Sequence, residues 1–309
     1  MKTGGRGQRR AVFSLLVWVR DRLLRPFRPL VRERRTLPGI LSWIGLGTLI
    51  SFVLIGIFGP LLISVDQTKP LAYPILLSPS LQHVMGTDGI GRDVFARVIW
   101  GTRTSLEIMA IGALLALIAG FPLGLLSGFV GGKLDRLLVL VMDSVYAFPG
   151  LLLAALIAAV IGKGIFNIGI AITVIYIPLY FRVTRNQTLS TREELYVEAA
   201  RALGARSRTI MLSYIAYNVV IVIPVIFSLS AADTILTAAG LSYLGLGLEI
   251  DTPGDWGRDL SDAQRFLGSG IWWTSLFPGL MIILLTVGLS FLGEGLNDIV
   301  NPLLKKERG

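Results

Sequence analysis

The sequence predicts an all-α integral membrane protein with about six transmembrane helices, and two observations support this. First, 53% of the 309 residues are hydrophobic, only 16% are charged, and the mean hydropathy is +0.70, whereas about a quarter of the residues in a soluble domain are charged. Second, six apolar runs are long enough to cross a hydrocarbon core of about 30 Å, which requires about 20 helical residues. The predicted spans are residues 40–63, 104–130, 137–161, 165–181, 214–240 and 271–293.

Prolines and glycines are placed regularly in these spans. A proline removes a backbone donor, so in a membrane it usually faces protein or a water-lined cavity and kinks its helix. A role in shaping a pathway and an ordinary transmembrane proline both remain open. In the second span a glycine recurs every four residues, which favours the close approach of another helix. The prolines are Pro60, Pro122, Pro149, Pro178, Pro224 and Pro278, and the glycines are Gly120, Gly124 and Gly128.

The net charge of +9 is concentrated in residues 1–36, which carry eleven Lys or Arg against two acidic residues. A basic segment directly before a first span marks the cytoplasmic side and suits contact with anionic lipid head groups. We therefore interpret it as a topology signal and expect no nucleic-acid partner. With both termini cytoplasmic, 22 of the 29 Lys and Arg residues lie in the predicted inner segments 1–36, 131–136, 182–213 and 294–309.

Four parts are expected along the chain. A basic cytoplasmic or interfacial segment is followed by the first span with an outer loop, then by a core domain of the remaining spans, and last by a cytoplasmic tail. Their boundaries are 1–36, 37–103, 104–300 and 301–309, and the core contains the cytoplasmic loop 182–213.

The residue types available exclude several kinds of chemistry. The chain contains no cysteine and a single histidine, His83, so we expect no metal site. A phosphate-binding loop requires Gly-Lys followed by Ser or Thr, but Leu134 and Gly164 follow the two Gly-Lys pairs. We therefore expect no catalytic residues, no cofactor bound by this chain and no ATP hydrolysis.

The loop 182–213 predicts a projecting helical knob. Thr191 and Glu194 fit a capping box, Gly204 suits a helix end, and a second helix is expected to start near Ser207. Small Ala199 and Ala200 would let a partner approach, while Glu198 and the arginines supply charged contacts. Four apolar residues fall on one helical face, namely Leu195, Ala199, Ala202 and Leu203.

The run Glu198-Ala199-Ala200, followed by Arg201 and Gly204, resembles the EAA loop of permease subunits of ABC importers. The resemblance implies a type I importer permease in a bacterial or archaeal cell (inner) membrane. It also implies that these five residues belong to a coupling helix that docks on a separate ATPase subunit, which binds ATP and Mg.

Two further stretches resemble the C-type subunits of dipeptide and oligopeptide permeases. One is HVMGTDGIGRDVFARVIWGTRTSL from His83; the other is LSYLGLGLEIDTPGDWG from Leu241, followed by FPG from Phe277 and LGEGLNDIVNP from Leu292. The resemblance implies an importer with a homologous second permease, two ATPase subunits and an extracytoplasmic binding protein. The implied cargo is a di- or oligopeptide, and related systems also carry nickel, glutathione and sugars.

The outer loops 64–103 and 241–270 are the segments that this resemblance directs towards the binding protein. The stretch Gly91–Trp100 is amphipathic, with Asp93 four residues before Arg97 as a potential ion pair, and predicts a helix lying flat on the outer surface. The candidate contact residues are Asp88, Arg92, Asp93, Asp255 and Trp256.

Two carboxylates, Asp143 and Asp233, lie within predicted spans. Charges there are costly and usually face the bundle interior, so both are candidates to line a pathway, with a structural hydrogen bond as the alternative. Two other functional classes make different predictions about the sequence. An ion-gradient-driven transporter predicts paired carboxylates or an inverted repeat, and a simple membrane anchor leaves the knob unexplained.

Overall fold

A computed structural model describes residues 36–300, which form helices joined by loops. The helices are α1 Leu37–Leu62, α2 Val94–Val130, α3 Gly132–Tyr146, α4 Gly150–Ile161, α5 Ile165–Arg192, α6 Leu195–Ala202, α7 Ser207–Tyr243, α8 Trp256–Leu267 and α9 Trp273–Val300. Within α7, Ile210–Ile215 is a π-helical turn and Val220–Val222 a 3-10 turn. The predicted basic segment, except Thr36, and the predicted tail 301–309 lie outside the described residues.

Within residues 36–300, five helices are long and apolar enough to cross a membrane: α1, α2, α5, α7 and α9. The consecutive helices α3 and α4 meet the same criterion only together, and they meet at an angle of 87°. If this bent pair makes one crossing, the chain crosses six times, and residues 36 and 300 fall on the same side as α6. The predicted all-α fold with about six spans is confirmed.

The predicted span over 137–161 corresponds to the bent pair of helices α3 and α4. Residues 147–149 separate α3 from α4, and Pro149, which precedes α4, has a φ of −56° but a non-helical ψ of 118°. Proline lacks the donor that would continue the helix and disfavours a helical conformation in the residue before it. By contrast, four other prolines lie inside continuous helices: Pro60, Pro122, Pro178 and Pro278.

The glycine stripe of α2 is a packing surface, as the sequence predicts. A Cβ on Gly124 would lie 2.5 Å from the carbonyl oxygen of Phe181 and 2.8 Å from the Thr184 Cβ. Gly120 and Gly128 meet the backbone and Cβ atoms of α5 in the same way. The two helices therefore lie in backbone contact, an arrangement that larger side chains would prevent.

Small residues also bring α1 against α9. A Cβ on Gly45 would overlap the carbonyl oxygen of Gly288. Near this contact, apolar side chains of α1, α2, α7, α8 and α9 form a shared core. Its members include Phe52, Met109, Ile235, Trp256, Ile282, Leu285 and Leu289.

The predicted flat helix over Gly91–Trp100 is absent as a separate element. The helix α2 begins at Val94 and continues without a break for 37 residues, so this stretch forms its first turns. The predicted Asp93–Arg97 ion pair is also wrong, because Asp93 caps α2 by accepting a hydrogen bond from the Ala96 N–H at 2.9 Å. An aspartate at this position satisfies a donor that the first helical turn leaves free.

Candidate coupling knob, outer cap and span carboxylates

The knob consists of α6 and the turn that follows it, residues 195–206. At the end of α6, the Ala205 N–H donates to the Ala200 carbonyl at 3.0 Å and the Gly204 N–H to the Arg201 carbonyl at 2.9 Å. Gly204 has a φ of +77°, which a residue with a side chain adopts only at a cost. This is a Schellman ending, and it confirms the predicted helix end at Gly204.

The two faces of α6 have opposite environments. Val197 and Ala200 are buried against Leu125 of α2 and against Ile210 and Ile215 of α7. The opposite face carries exposed apolar side chains, with Leu195 80% and Leu203 88% exposed. Glu198, Ala199 and Arg201 are also exposed. Ala200 therefore supports the knob from within, whereas the other predicted coupling side chains face outwards.

The predicted capping box is wrong. Thr191 lies in the last turn of α5, where its helical backbone cannot serve as a cap, since a cap residue needs an extended conformation. Glu194 instead occupies the cap position of α6, with φ −73° and ψ 142°, and makes no capping hydrogen bond through its side chain.

The base of the knob is fixed by charged contacts between neighbouring helices. Arg185 of α5 binds Asp135 of α3 through two hydrogen bonds, of 2.5 and 2.8 Å. The Ser127 hydroxyl of α2 donates to the same carboxylate at 2.5 Å. Arg192 donates to the Gly128 carbonyl at 3.2 Å. These contacts join α2, α3 and α5 next to α6.

At the opposite side, the loop 63–93 and residues 244–272 form a structure that we name the outer cap. Two arginines, Arg92 in this cap and Arg97 in the first turn of α2, are almost fully buried, at 3% and 2% exposed. Arg97 donates to Asp259 at 2.7 Å and to the Pro253 carbonyl at 3.2 Å. Arg92 pairs with Asp88 and donates to Asp262 at 3.3 Å. These contacts connect the start of α2 to α8.

The five residues predicted to contact a binding protein are buried in the outer cap. Asp93 caps α2 and also lies 2.8 Å from His83, Asp255 caps α8, and Trp256 donates to the Val98 carbonyl at 3.1 Å. Asp88 and Arg92 pair with each other. Their side chains stabilise the cap, and burial removes them as surface contacts.

Burial and charge shift the pKa values of two groups in the cap. Burial lowers the pKa of the Arg92 guanidinium, but the nearby carboxylates of Asp259, Asp88 and Asp262 outweigh it and leave the pKa above its usual value. Burial raises the pKa of Asp255, and the neighbouring charge of Asp259 adds to this, although hydrogen bonds oppose it. The cap therefore holds Arg92 charged and disfavours the charged form of Asp255.

The two span carboxylates have different environments. Asp143 of α3 accepts a hydrogen bond from Arg182 of α5 at 3.1 Å, which agrees with the structural alternative. Asp233 of α7 lines a cavity of about 500 Å³ next to the break between α3 and α4. The structure therefore separates two residues that the sequence analysis treated alike.

Sequence reasoning missed the ion pairs of the outer cap. Arg97 and Asp259 are more than 150 positions apart, so no local spacing pattern connects them. The available signal was the presence of charged residues in segments next to apolar spans. Such residues indicate that a site exists, but they do not show which residue each one pairs with.

The chain is a bundle of apolar helices, one pair of which is bent at a proline. It carries a helical knob on one side and a folded cap on the other. This architecture is that of a multi-span membrane transport subunit. A protein-family profile described as "Binding-protein-dependent transport system inner membrane component" matches residues 120–306. The chain is 39% identical over 265 residues to the dipeptide transport system permease protein DppC of Alkalihalophilus pseudofirmus, covering 86% of each chain. It is 35% identical over 300 residues to the glutathione transport system permease protein GsiD of Pectobacterium atrosepticum, covering 96% of this chain and 98% of that one.

A third relative, the di/tripeptide transport system permease protein DppC of Pseudomonas aeruginosa, is 35% identical over 267 residues, covering 84% of this chain and 88% of that one. The chain therefore belongs to the family of binding-protein-dependent transport system inner membrane components. This confirms the predicted permease class, the type I permease fold and the location in the inner membrane.

Proposed function

We propose that this chain is the permease subunit of an ATP-driven importer of short peptides, and that α6 is the helix through which a separate ATPase subunit moves it. The observation that carries the proposal is the two-sided character of α6. Its inner face is packed into the bundle, while its outer face presents Leu195, Ala199 and Leu203 next to Glu198 and Arg201. Exposed leucines on a rigid helix outside the spans are suited to docking on a partner.

The proposed movement follows the contacts of α6. Closure of the ATPase subunits displaces the knob, and Val197 and Ala200 pass the displacement to Leu125 of α2 and to Ile210 and Ile215 of α7. Because packed helices have discrete arrangements, the displacement rocks the spans as bodies between inward-open and outward-open states.

The proposed complex contains this chain, a homologous second permease, two ATPase subunits that bind ATP and Mg, and an extracytoplasmic binding protein. Large apolar side chains of α4 project from the single chain, among them Leu152, Leu156 and Val160. Their exposure supports contact with the second permease and with lipid. ATP hydrolysis belongs to the ATPase subunits, and this chain acts mechanically.

Residues 37–103 are proposed to form an outer part that takes part in contact with the binding protein, and residues 104–300 are proposed to form the core of spans. We propose that the binding protein contacts the exposed part of the outer cap and not the five buried candidate residues. Exposed apolar side chains at its loop tips support this, namely Leu71, Ile75, Leu81 and Val84. The cap itself is held rigid by the buried arginines, so it presents these tips in a fixed arrangement.

Short peptides are proposed as the cargo because the relatives are named for dipeptides, di/tripeptides and glutathione, which is itself a modified tripeptide. Uptake of radiolabelled dialanine by the assembled importer tests this part of the proposal. Transport of nickel or a sugar in place of any peptide contradicts it.

The coupling role is tested by Leu203→Ser, with Leu62→Ser as the matched control. The two leucines are 88% and 84% exposed, so neither substitution removes a packed core residue. Burying a leucine in an interface contributes about 1.5–3 kcal/mol, so Leu203→Ser is expected to weaken ATPase binding at least about tenfold. ATP-dependent uptake falls in parallel, while Leu62→Ser behaves like the parent.

Glu198→Lys gives a second test, since it reverses a charge on the same face without touching the bundle core. Uptake is expected to be lost while the subunit still reaches the membrane. Unchanged uptake in both knob variants contradicts the coupling role. Uptake that survives ATP depletion but is lost with a protonophore supports the ion-gradient class instead.

A further inference from the structure

Asp233 is a charged residue in the middle of a span. It lies ten residues before the end of α7 at Tyr243, which places it about 15 Å from that end, or about half of a hydrocarbon core. Within residues 36–300, its carboxylate has neither a hydrogen bond nor an ion pair, whereas Asp143 is paired with Arg182. The side chain is exposed on the surface of the single chain.

The surroundings of Asp233 form a pocket suited to a cation. The cavity of about 500 Å³ lies between the break of the third span and the helices α5 and α7, and no Lys or Arg is among its lining residues. The Tyr176 and Thr237 hydroxyls lie 3.2 Å apart and hydrogen bond to each other. Tyr146 and Phe148 contribute aromatic rings to the walls, which attract cations over their faces.

A basic group beside the pocket, Arg182, is already engaged. Arg182 binds Asp143 at 3.1 Å and lies over the Tyr146 ring at 4.2 Å from its centroid. It therefore neutralises a different carboxylate and leaves the charge of Asp233 available. A lone charge at membrane depth has to face water or an opposite charge, since lipid gives it neither.

We propose that Asp233 lines the aqueous pathway and pairs transiently with the primary ammonium group of the cargo as it crosses the membrane. The inference rests on the proposed function, because short peptides carry a protonated amino terminus at neutral pH, with an unperturbed pKa of about 8. A carboxylate on a wall of aromatic and hydroxyl groups selects for that positive end and disfavours an anionic end. Dissociation stays fast because only one charged contact forms.

The test uses charged thiol reagents, since the chain contains no cysteine and a single one can be introduced. The reporter is Thr237→Cys, one helical turn from Asp233, in the assembled importer in membrane vesicles. Its rates of modification by 2-(trimethylammonium)ethyl and 2-sulfonatoethyl methanethiosulfonate are compared with and without Asp233→Asn. Asp66→Asn is the matched control, because it neutralises a carboxylate of the outer cap that is already paired with Lys69. Both the nucleotide-free and the ATP-vanadate states are measured.

The ratio of cation to anion modification rates is expected to fall about tenfold on Asp233→Asn. A unit charge about 6 Å away in water changes each rate about threefold, in opposite directions for the two reagents. Asp66→Asn leaves the ratio unchanged. An unchanged ratio in the Asp233→Asn reporter overturns the proposal, and so does a reporter that reacts with neither reagent in either state, because the residue is then sealed against protein or lipid.

Uptake of dialanine, whose amino terminus is its only cation, identifies the source of the ammonium group. Asp233→Asn is expected to lower its uptake severalfold while ATP hydrolysis stimulated by the binding protein persists. A loss confined to lysine-containing peptides assigns the contact to the lysine side chain. If the unsubstituted importer does not take up any peptide, the proposed cargo fails, and the labelling ratio, which needs no transport, still decides whether Asp233 attracts cations in an aqueous pathway.

Discussion

Substituting Gly204 perturbs the end of α6 through backbone strain alone. Gly204 has a φ of +77°, and a Cβ placed there would meet no atom within 4 Å. The cost of Gly204→Ala is therefore conformational, roughly 1–2 kcal/mol for a residue with a side chain in the left-handed region. That cost raises the local opening equilibrium of the α6 ending about tenfold, since 1.4 kcal/mol corresponds to one factor of ten.

Hydrogen–deuterium exchange measures this opening at the amides of Gly204 and Ala205, whose N–H groups make the terminal hydrogen bonds. Gly204→Ala is expected to exchange about tenfold faster there, whereas Gly204→Asn changes less, because asparagine tolerates the left-handed conformation. Gly268→Ala is the control, since its φ is −63° and its surroundings are equally open. Equal exchange in the parent, Gly204→Ala and Gly204→Asn would refute the assignment of strain to this position.

Three further predictions concern stability in detergent. Gly124→Val should prevent α2 from contacting α5 and abolish folding, whereas Gly47→Ala, in open space inside a helix, should not lower the thermal midpoint. Arg97→Leu leaves the buried Asp259 carboxylate only its longer ion pair with Arg92, at 3.8 Å, and should lower the free energy of unfolding by about 3 kcal/mol; equal loss in the double variant with Asp259→Leu would contradict this. Because burial raises the pKa of Asp255 from 3.8, its contribution to stability is present below pH 3.8 and is lost as the pH rises through the raised pKa. Asp255→Asn keeps the helix cap and should remove that decline, so an unchanged pH profile of the unfolding midpoint would count against it.

The features that the sequence predicts correctly depend on local chemistry. Gly204 ends a helix because a left-handed residue is needed there, and the glycines of α2 allow backbone contact because they recur on one helical face. Long apolar runs predict spans because the transfer of each segment from water into lipid depends on the composition of that segment alone. All three can be deduced from neighbours in the chain.

The features that it misses depend on competition or on distant partners. Pro149 was one of several span prolines expected to kink their helices, and only the three-dimensional structure shows which of them breaks its helix. Asp93 has a possible partner four residues away in Arg97, yet the free N–H of Ala96 binds it instead. Arg97 in turn pairs with Asp259 from the far end of the chain, which spacing along the chain cannot indicate.

The length of α2 has a consequence for communication across the bilayer. Its 37 residues extend about 56 Å, well beyond the hydrocarbon thickness. Arg97 attaches its first turns to α8 outside the spans, and Gly128 near its other end accepts a hydrogen bond from Arg192 beside the knob. One continuous helix, in which Pro122 alone lacks a backbone donor, thus joins the outer cap to the base of the knob. A change in the tilt of α2 at one of these surfaces therefore also changes its tilt at the other.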